Sequence, residues 1–356
     1  MSKRKKGIKA SAGITILVLV LLICIGTATA FVLFTKTNLA KQEAKLPESA
    51  ISLYLKQIKN NDFNGIYENS LLIDPHLNSK EDYDQAIKNI YDGVSLDKLI
   101  YQEEKSASDD LLYGLYDGNV KVAVIKLVKG TDGKWLASTV FQGDHSSIVE
   151  APAGVIFKVN GVEVTNDYIS NKNVTATNFS GLDDQSDAPK VVRYELNNLI
   201  SEPVITTDNS GYTTIKDALS NTYFIGKETT DSDLEETIIN AGKTVARYPT
   251  KDGTLGAIGA ITITGSDFYD RIKTMDNQWY AAHGTSQFSN EEVLSIVQQD
   301  ENSMIANVIF DYYIASGSTS KEYHIGYQIS FLNVRGTWKI AGFAIDNEMN
   351  PKTKIW

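Results

Sequence analysis

Ser95-Leu96-Asp97-Lys98 and Ser318-Thr319-Ser320-Lys321 have the spacing of a serine nucleophile and its lysine base. Acyl-transfer enzymes that use this pair also need a Ser-x-Asn-type motif and a Lys-Thr-Gly-type strand. No Lys-Thr-Gly occurs, and Lys243-Thr244 is followed by Val245. Isolated four-residue matches arise by chance in a chain of 356 residues, so no enzyme is expected. Gly253, Gly256 and Gly259 lack the spacing of a dinucleotide loop, and no complete phosphate-cradling loop is present, since Gly242-Lys243-Thr244 has Thr237 where the pattern needs its first glycine. Cys24 is the single cysteine, which excludes a disulfide framework and a cysteine zinc site. His76, His145, His283 and His324 are scattered. Asp183-Asp184-x-x-Asp187 offers oxygen ligands but lacks the EF-hand spacing and glycine, so it reads as a solvated loop. Asp231, Asp233, Glu235 and Glu236 read as acids favoured at a helix N-terminus. No metal and no cofactor is expected.

Charge narrows the partners. Residues 1–9 carry Lys3, Arg4, Lys5, Lys6 and Lys9 and no acid. Without those five bases the chain has 29 against 44 acids, a formal −15 over residues 10–356. Nucleic-acid binding needs a cationic footprint to neutralise phosphates, so no nucleic-acid partner is expected.

Between Ala10 and Thr35 there is no charged side chain, and Ile14 to Phe34 is almost wholly apolar. Those 21 residues span about 31 Å as a helix, enough for a hydrocarbon core of about 30 Å. The basic cluster before the span places residues 1–9 in the cytoplasm and the rest of the chain outside. Cleavage after Ala28-Thr29-Ala30 is the competing reading. A lipoprotein is disfavoured because Ile23, before Cys24, is not small. An exported region of over 300 residues without cysteine suggests folding without oxidative help, as in extracytoplasmic proteins of Gram-positive-type bacteria.

The elements divide the exported part. After a spacer, 36–46, Pro47 suits a first helical turn, and Ala50, Leu53, Tyr54 and Ile58 share one face. A short helical stretch follows from Phe63. Ser79 then caps a helix with Asp82 three residues on and an apolar face of Tyr83, Ala86, Ile87, Ile90, Tyr91 and Val94. Val120, Val122, Val124 and Val128 alternate as a strand between the turn signals Asp117-Gly118 and Asp132-Gly133, and Trp135 opens the next strand. Residues 47–147 thus read as an α+β domain. Residues 148–226 read as a small all-β, sandwich-like module, with Asn160-Gly161 as a two-residue hairpin loop. Residues 227–346 read as a second α+β domain and 347–356 as a tail. It has a helix from Asp231 on which Leu234, Ile238 and Ala241 share a face, a helix around Phe268–His283, and three strands in residues 304–345. Trp135 and Trp338 each follow a glycine-containing turn, which suggests a duplicated fold flanking a β spacer. Truncating either indole is expected to cost about 3–5 kcal/mol.

Helices followed by a sheet ending in this hairpin resemble the NTF2-like α+β cone. LPESAISLYLKQIKNNDFNGIYENSLL and SKEDYDQAIKNIYDGV are similar to the N-terminal non-catalytic module of methicillin-resistance-type penicillin-binding proteins. The order of basic tail, membrane helix, β module with Ala151-Pro152-Ala153-Gly154 and Val159-Asn160-Gly161, and terminal α+β domain resembles the staphylococcal teicoplanin-resistance-associated membrane proteins. The zinc ribbon common in that group is missing here. The resemblance implies an anchored envelope protein that binds or scaffolds envelope proteins or peptidoglycan. Its alternatives are an extracytoplasmic sensor that uses the cone cavity and a small-molecule enzyme in that cavity; an NTF2-like dimer is compatible with it. It also implies that Tyr269, Tyr280, His283 and Tyr327 are the side chains to inspect for a cavity or ligand site.

Overall fold

The computed structural model of the chain describes residues 46–70, 72–106, 110–141, 146–275 and 283–353. The expected membrane span at 10–35, the basic tail and all but the last residue of the spacer lie outside these residues, as does Tyr280. No helix among the described residues is long and apolar enough to cross a membrane. The described chain is mixed α and β, mostly sheet, and divides into two units.

The first unit runs α1 (Pro47–Lys59), α2 (Phe63–Asn69), α3 (Lys80–Tyr91), β1 (Ile100–Glu104), β2 (Leu111–Asp117), β3 (Val120–Lys129) and β4 (Trp135–Val140). The strands form an antiparallel meander in chain order. Ser79 caps α3, its Oγ accepting from the Asp82 N–H at 3.0 Å and donating to the Asp82 carboxylate at 2.6 Å. Gly118 (φ 62°) and Gly133 (φ 79°) turn the two hairpins as expected. On α1 the buried face is Ala50, Ile51, Tyr54, Gln57 and Ile58, while Leu53 is 47% exposed. Ala50, Tyr54 and Ile58 thus lie on the buried face as expected, and Ile51 rather than Leu53 completes it. The interior is filled by tyrosines. Tyr54 Oη lies 2.7 Å from Thr139 Oγ1 and 3.0 Å from Tyr91 Oη, and Tyr83 is fully buried beside them.

The second unit comprises residues 74–78 and those from 144 onward. Its strands are β5 (Ser147–Ala151), β6 (Phe157–Val159), β7 (Val162–Glu163), β8 (Ile169–Thr175), β9 (Lys190–Leu196), β10 (Ile205–Thr207), β11 (Tyr212–Lys216) and β12 (Thr222–Glu228). After them come α4 (Ser232–Arg247), α5 (Leu255–Ile261), α6 (Asp267–Lys273), β13 (Thr285–Asp300), β14 (Ser303–Ser316), β15 (Thr319–Val334) and β16 (Thr337–Ile345). The sequence α4–α6 then β13–β16 repeats the element order of the first unit, three helices and a four-stranded antiparallel meander. Asn160 (φ 51°) and Gly161 (φ 83°) form the predicted hairpin turn between β6 and β7.

The boundary expected at 226/227 falls inside β12. One sheet runs β16-β15-β14-β13-β12-β5-β9-β8, with β11 also on β12. Lys227 and Glu228 pair with Gln298 and Val297, so the β module and the terminal α+β region share hydrogen bonds. Phe179, Leu182 and Val191 also pack with Leu332 and Ala341, covering the sheet face opposite the helices. The small sheet β10-β6-β7 lies over this assembly, with Phe157 and Val159 packed against Val149, Leu196 and Ile225. Two further boundaries move. Leu77, expected in the first domain, lies in the core of the second unit. Residues 347–353 are not a loose tail, since Asn350 is buried and its amide donates to the Phe310 and Ile325 carbonyls.

The largest core lies between α4–α6 and β13–β16. Ile238, Ala241, Val245 and Ala246 of α4 meet Phe268 and Ile272 of α6 and the inward residues of the strands, among them Val308, Phe310, Tyr327, Ile329 and Ile340. Asp231 caps α4 through the N–H groups of Asp233 and Leu234. This packing holds the site described next.

Candidate functional site

Between α4, α6 and the strands β15–β16 lies a cavity of about 390 Å³. Its walls are Val245, Pro249, Phe268, Ile272, Met275, Tyr327, Phe343, Ala344 and Ile345, with Leu219 and Arg271 at the edge. A second lobe of about 170 Å³ shares Pro249, Met275, Tyr327 and Ile345 and adds Ala246, Thr250, Tyr312, Tyr323, Ile325 and, exposed at the rim, Asn347. The helical spacing of Phe268 and Ile272 presents both to the sheet. Phe343 stacks on Phe268 at 4.8 Å between centroids and meets Tyr327 edge-on at 4.6 Å. These rings are fixed by neighbours on three elements, and the cavity is lined mainly by carbon.

A polar depression of about 220 Å³ adjoins it, sharing Leu219, Phe268, Arg271, Phe343 and Ala344. Asp217, Asp267, Gln328 and Ser330 line that side. Burial raises the Asp217 carboxyl, although the Ser220 hydroxyl opposes the shift. Arg271 is exposed, and its Nε donates to the Asp267 carbonyl of its own helix at 3.3 Å.

Of the residues singled out in the sequence, Tyr327 alone is in this lining among the described residues. It is 7% exposed, and burial pushes its phenol well above the usual tyrosine value. Tyr269 faces α5 instead, its hydroxyl 3.4 Å from where a Gly259 Cβ would lie. The neighbouring Phe268 takes the cavity position. His283 Nε2 lies 3.0 Å from both Asp252 carboxylate oxygens. The Tyr312 hydroxyl also donates to Asp252 and lies 3.2 Å from Thr250 Oγ1. Burial would raise the Asp252 carboxyl, but its hydrogen bonds from Tyr312, His283 and Ser286 outweigh that and hold it below the usual value. This cluster braces the wall of the smaller lobe. Its carboxylate and imidazole are not in the lining, and the Tyr312 hydroxyl is engaged.

A second polar cluster surrounds Asp311, which is 1% exposed. It accepts from His324 Nδ1 and Asn290 Nδ2, each at 2.7 Å, and from the Lys352 ammonium. Burial would raise this carboxyl, yet the bonds from Lys352, His324 and Asn290 bring it down to about 2. Asp311, Glu322 and His324 have ligand atoms close enough to share a cation. The protein's own Lys352 already supplies a positive charge there, so the arrangement reads as structural.

The Ser-x-x-Lys matches fall on exposed turns. Ser95 precedes a single 3₁₀ turn, and Ser318 to Lys321 form the tip of the β14–β15 hairpin. Asp183 N–H is tied to the Gly265 carbonyl, and Asp184 accepts from the Ser186 N–H.

No protein-family profile matches the sequence, and no curated protein matches it. Among solved structures, one described as an Ntf2-like protein involved in plasmid conjugation is similar at a TM-score of 0.24 and 9% identity. The match covers 78% of this chain and 91% of that one. A likeness at that score carries no weight for fold or function.

Proposed function

We propose that this chain is a non-catalytic, membrane-anchored protein of the bacterial cell envelope whose second unit binds a small molecule between α4–α6 and β15–β16. The observation that carries this reading is the composition of the cavity. Its two lobes are walled mainly by apolar and aromatic side chains, with Thr250, Asn347 and Arg271 the other polar members, and no carboxylate, imidazole or thiol is among the described lining residues. Acid–base and nucleophilic chemistry most often runs through such groups; of the lining hydroxyls, those of Tyr312 and Thr250 are engaged with each other, and burial holds Tyr327 protonated. Capture of a ligand needs only a concave apolar surface and a few polar groups. The uncharged stretch 10–35 after a basic tail supports the anchor, and the net negative exported region supports a partner other than nucleic acid.

The finer relationship, to NTF2-like envelope proteins of Firmicutes and the teicoplanin-resistance-associated group, belongs to the same proposal and rests on the sequence patterns above. A scaffold for envelope proteins or peptidoglycan is the second reading. It is favoured by the tyrosine-filled interior of the first unit, which leaves that unit its surface for binding.

The test is equilibrium binding of naphthalene to the full chain in lipid nanodiscs, referenced to empty nanodiscs. Saturable binding that Ala344→Phe abolishes is expected. No saturable binding, or binding indifferent to Ala344→Phe, removes the cavity reading. Cross-linking of the tagged chain in its native membrane tests the location, and recovery of no envelope protein or wall material would overturn it.

A further inference from the structure

We propose that the cavity takes a neutral, predominantly apolar small molecule with one hydrogen-bonding oxygen at its buried end, and that Tyr327 receives that oxygen. The inference rests on the binding reading above and names the ligand class. Tyr327 lines both lobes, and its ring is held by Phe310 at 5.6 Å and Phe343 at 4.6 Å. Among the described residues its hydroxyl has no hydrogen-bond partner, and it is not a sealed atom. The nearby Tyr312 hydroxyl is, by contrast, engaged by Asp252 and Thr250. A buried hydroxyl left without a partner is costly, so one that keeps access to an apolar cavity is a ready point of attachment.

The polarity of the surroundings sets the rest of the ligand. Desolvation holds the Tyr327 phenol protonated, so it offers one donor and one acceptor and no charge. A carboxylate or ammonium driven to that depth would meet no opposite charge, since Arg271 is the one charged residue in the described lining and sits exposed at the edge. Arg271 there shares the adjoining polar depression with Asp217 and Asp267, so the edge gives an anionic head no net attraction. Toward solvent the cavity is bordered by Leu219, Ile345 and Met275, which are 68%, 58% and 39% exposed. Large apolar side chains gathered at one opening suit the outer, hydrocarbon part of a ligand.

Three probes of one shape separate the possibilities: 2-naphthol, naphthalene and 2-naphthoate, titrated at pH 7 into the full chain in nanodiscs. Tyr327→Phe removes the hydroxyl and keeps the ring. Wild type is expected to bind 2-naphthol about five- to tenfold more tightly than the Phe variant does, the factor one hydrogen bond supplies. Naphthalene should bind both proteins alike, and 2-naphthoate should bind at least about tenfold more weakly than 2-naphthol, as burial of an unpaired charge requires. Unchanged 2-naphthol affinity in Tyr327→Phe, or 2-naphthoate binding as tightly as 2-naphthol, overturns the inference while leaving the cavity reading standing. Failure of all three probes to bind wild type overturns the cavity reading itself.

Discussion

Asp311 and His324 face each other across β14 and β15 as direct register partners, with His324 Nδ1 2.7 Å from Asp311 Oδ1. Because a carboxylate can only accept, the imidazole carries its proton on Nδ1. The other Asp311 oxygen takes the Asn290 amide and the Lys352 ammonium. Asp311 thereby ties together the irregular point of β13, the β14–β15 ladder and the segment after β16.

The first prediction concerns acid stability. Asp311 has a folded value of about 2, below the unfolded aspartate value of about 4. A depressed carboxyl adds stability that is complete above the unfolded value and is lost as pH falls through the folded one. Wild type should therefore lose this contribution between about pH 4 and pH 2. Asp311→Asn should lose about 1–3 kcal/mol at pH 7, because the hydrogen bonds that converge on the buried carboxylate from His324, Asn290 and Lys352 lose their charged acceptor. Urea unfolding from pH 7 to pH 2 measures both. Equal stability of variant and wild type at pH 7 would show that the cluster contributes nothing.

A second buried carboxylate should behave as a register lock. Glu150 is fully buried and lies opposite Arg193 in the β5–β9 ladder. It accepts from Arg193 Nε and Nη2 at 2.9 and 2.7 Å and from the Thr177 N–H and hydroxyl at 2.8 and 2.6 Å. Glu150→Ala strands the guanidinium and should cost about 3–5 kcal/mol. Chemical denaturation decides it, and a cost below about 1 kcal/mol, that of a surface pair, would contradict the buried geometry.

What the sequence made legible was local. Ser79 and Asp231 announce helix starts, and Asn160-Gly161 announces a hairpin, because each depends on neighbours a few residues away. β13 was not legible. Its run Ser289-Asn290-Glu291-Glu292 is polar, one of its faces is largely exposed, and Asn290 (φ 54°) sits where the register with β14 shifts. The cavity was half legible. Tyr327 stood out as an aromatic on a clear strand, but α6 has only seven residues, too short for its face to show as periodicity. The phenol of Tyr269 marks it as a candidate in the sequence, but the turn of α6 gives the cavity position to Phe268. The joining of the β module to the terminal sheet was hidden because β12 and β13 pair across some seventy residues of intervening chain.

That joining can be tested at one glycine. A Cβ at Gly226 would come within 2.4 Å of the Gln298 carbonyl oxygen and 2.7 Å of Val297 Cγ1. The obstacle is backbone on the neighbouring strand, so Gly226→Ala should cost about 1–3 kcal/mol as overpacking. A thermal melt that leaves the variant equal to wild type would mean that β12 and β13 do not approach this closely.

The repeated element order leads to the last prediction. Trp135 opens β4 opposite Lys129, whose ammonium sits 5.7 Å from the indole centroid. Trp338 stands opposite Asn333 near the start of β16 and packs against the helix–sheet core. Both indoles are half-buried rather than enclosed. The cost of truncation falls accordingly, from the about 3–5 kcal/mol of an enclosed aromatic to about 1–3 kcal/mol. Each belongs to a different unit with its own apolar interior, and contacts across such divisions are usually few. Calorimetry of the full chain should then show two transitions, with Trp135→Ala lowering one and Trp338→Ala the other, and the double variant lowering both by the same amounts. A single transition lowered equally by either substitution would mean that the two repeats unfold as one body.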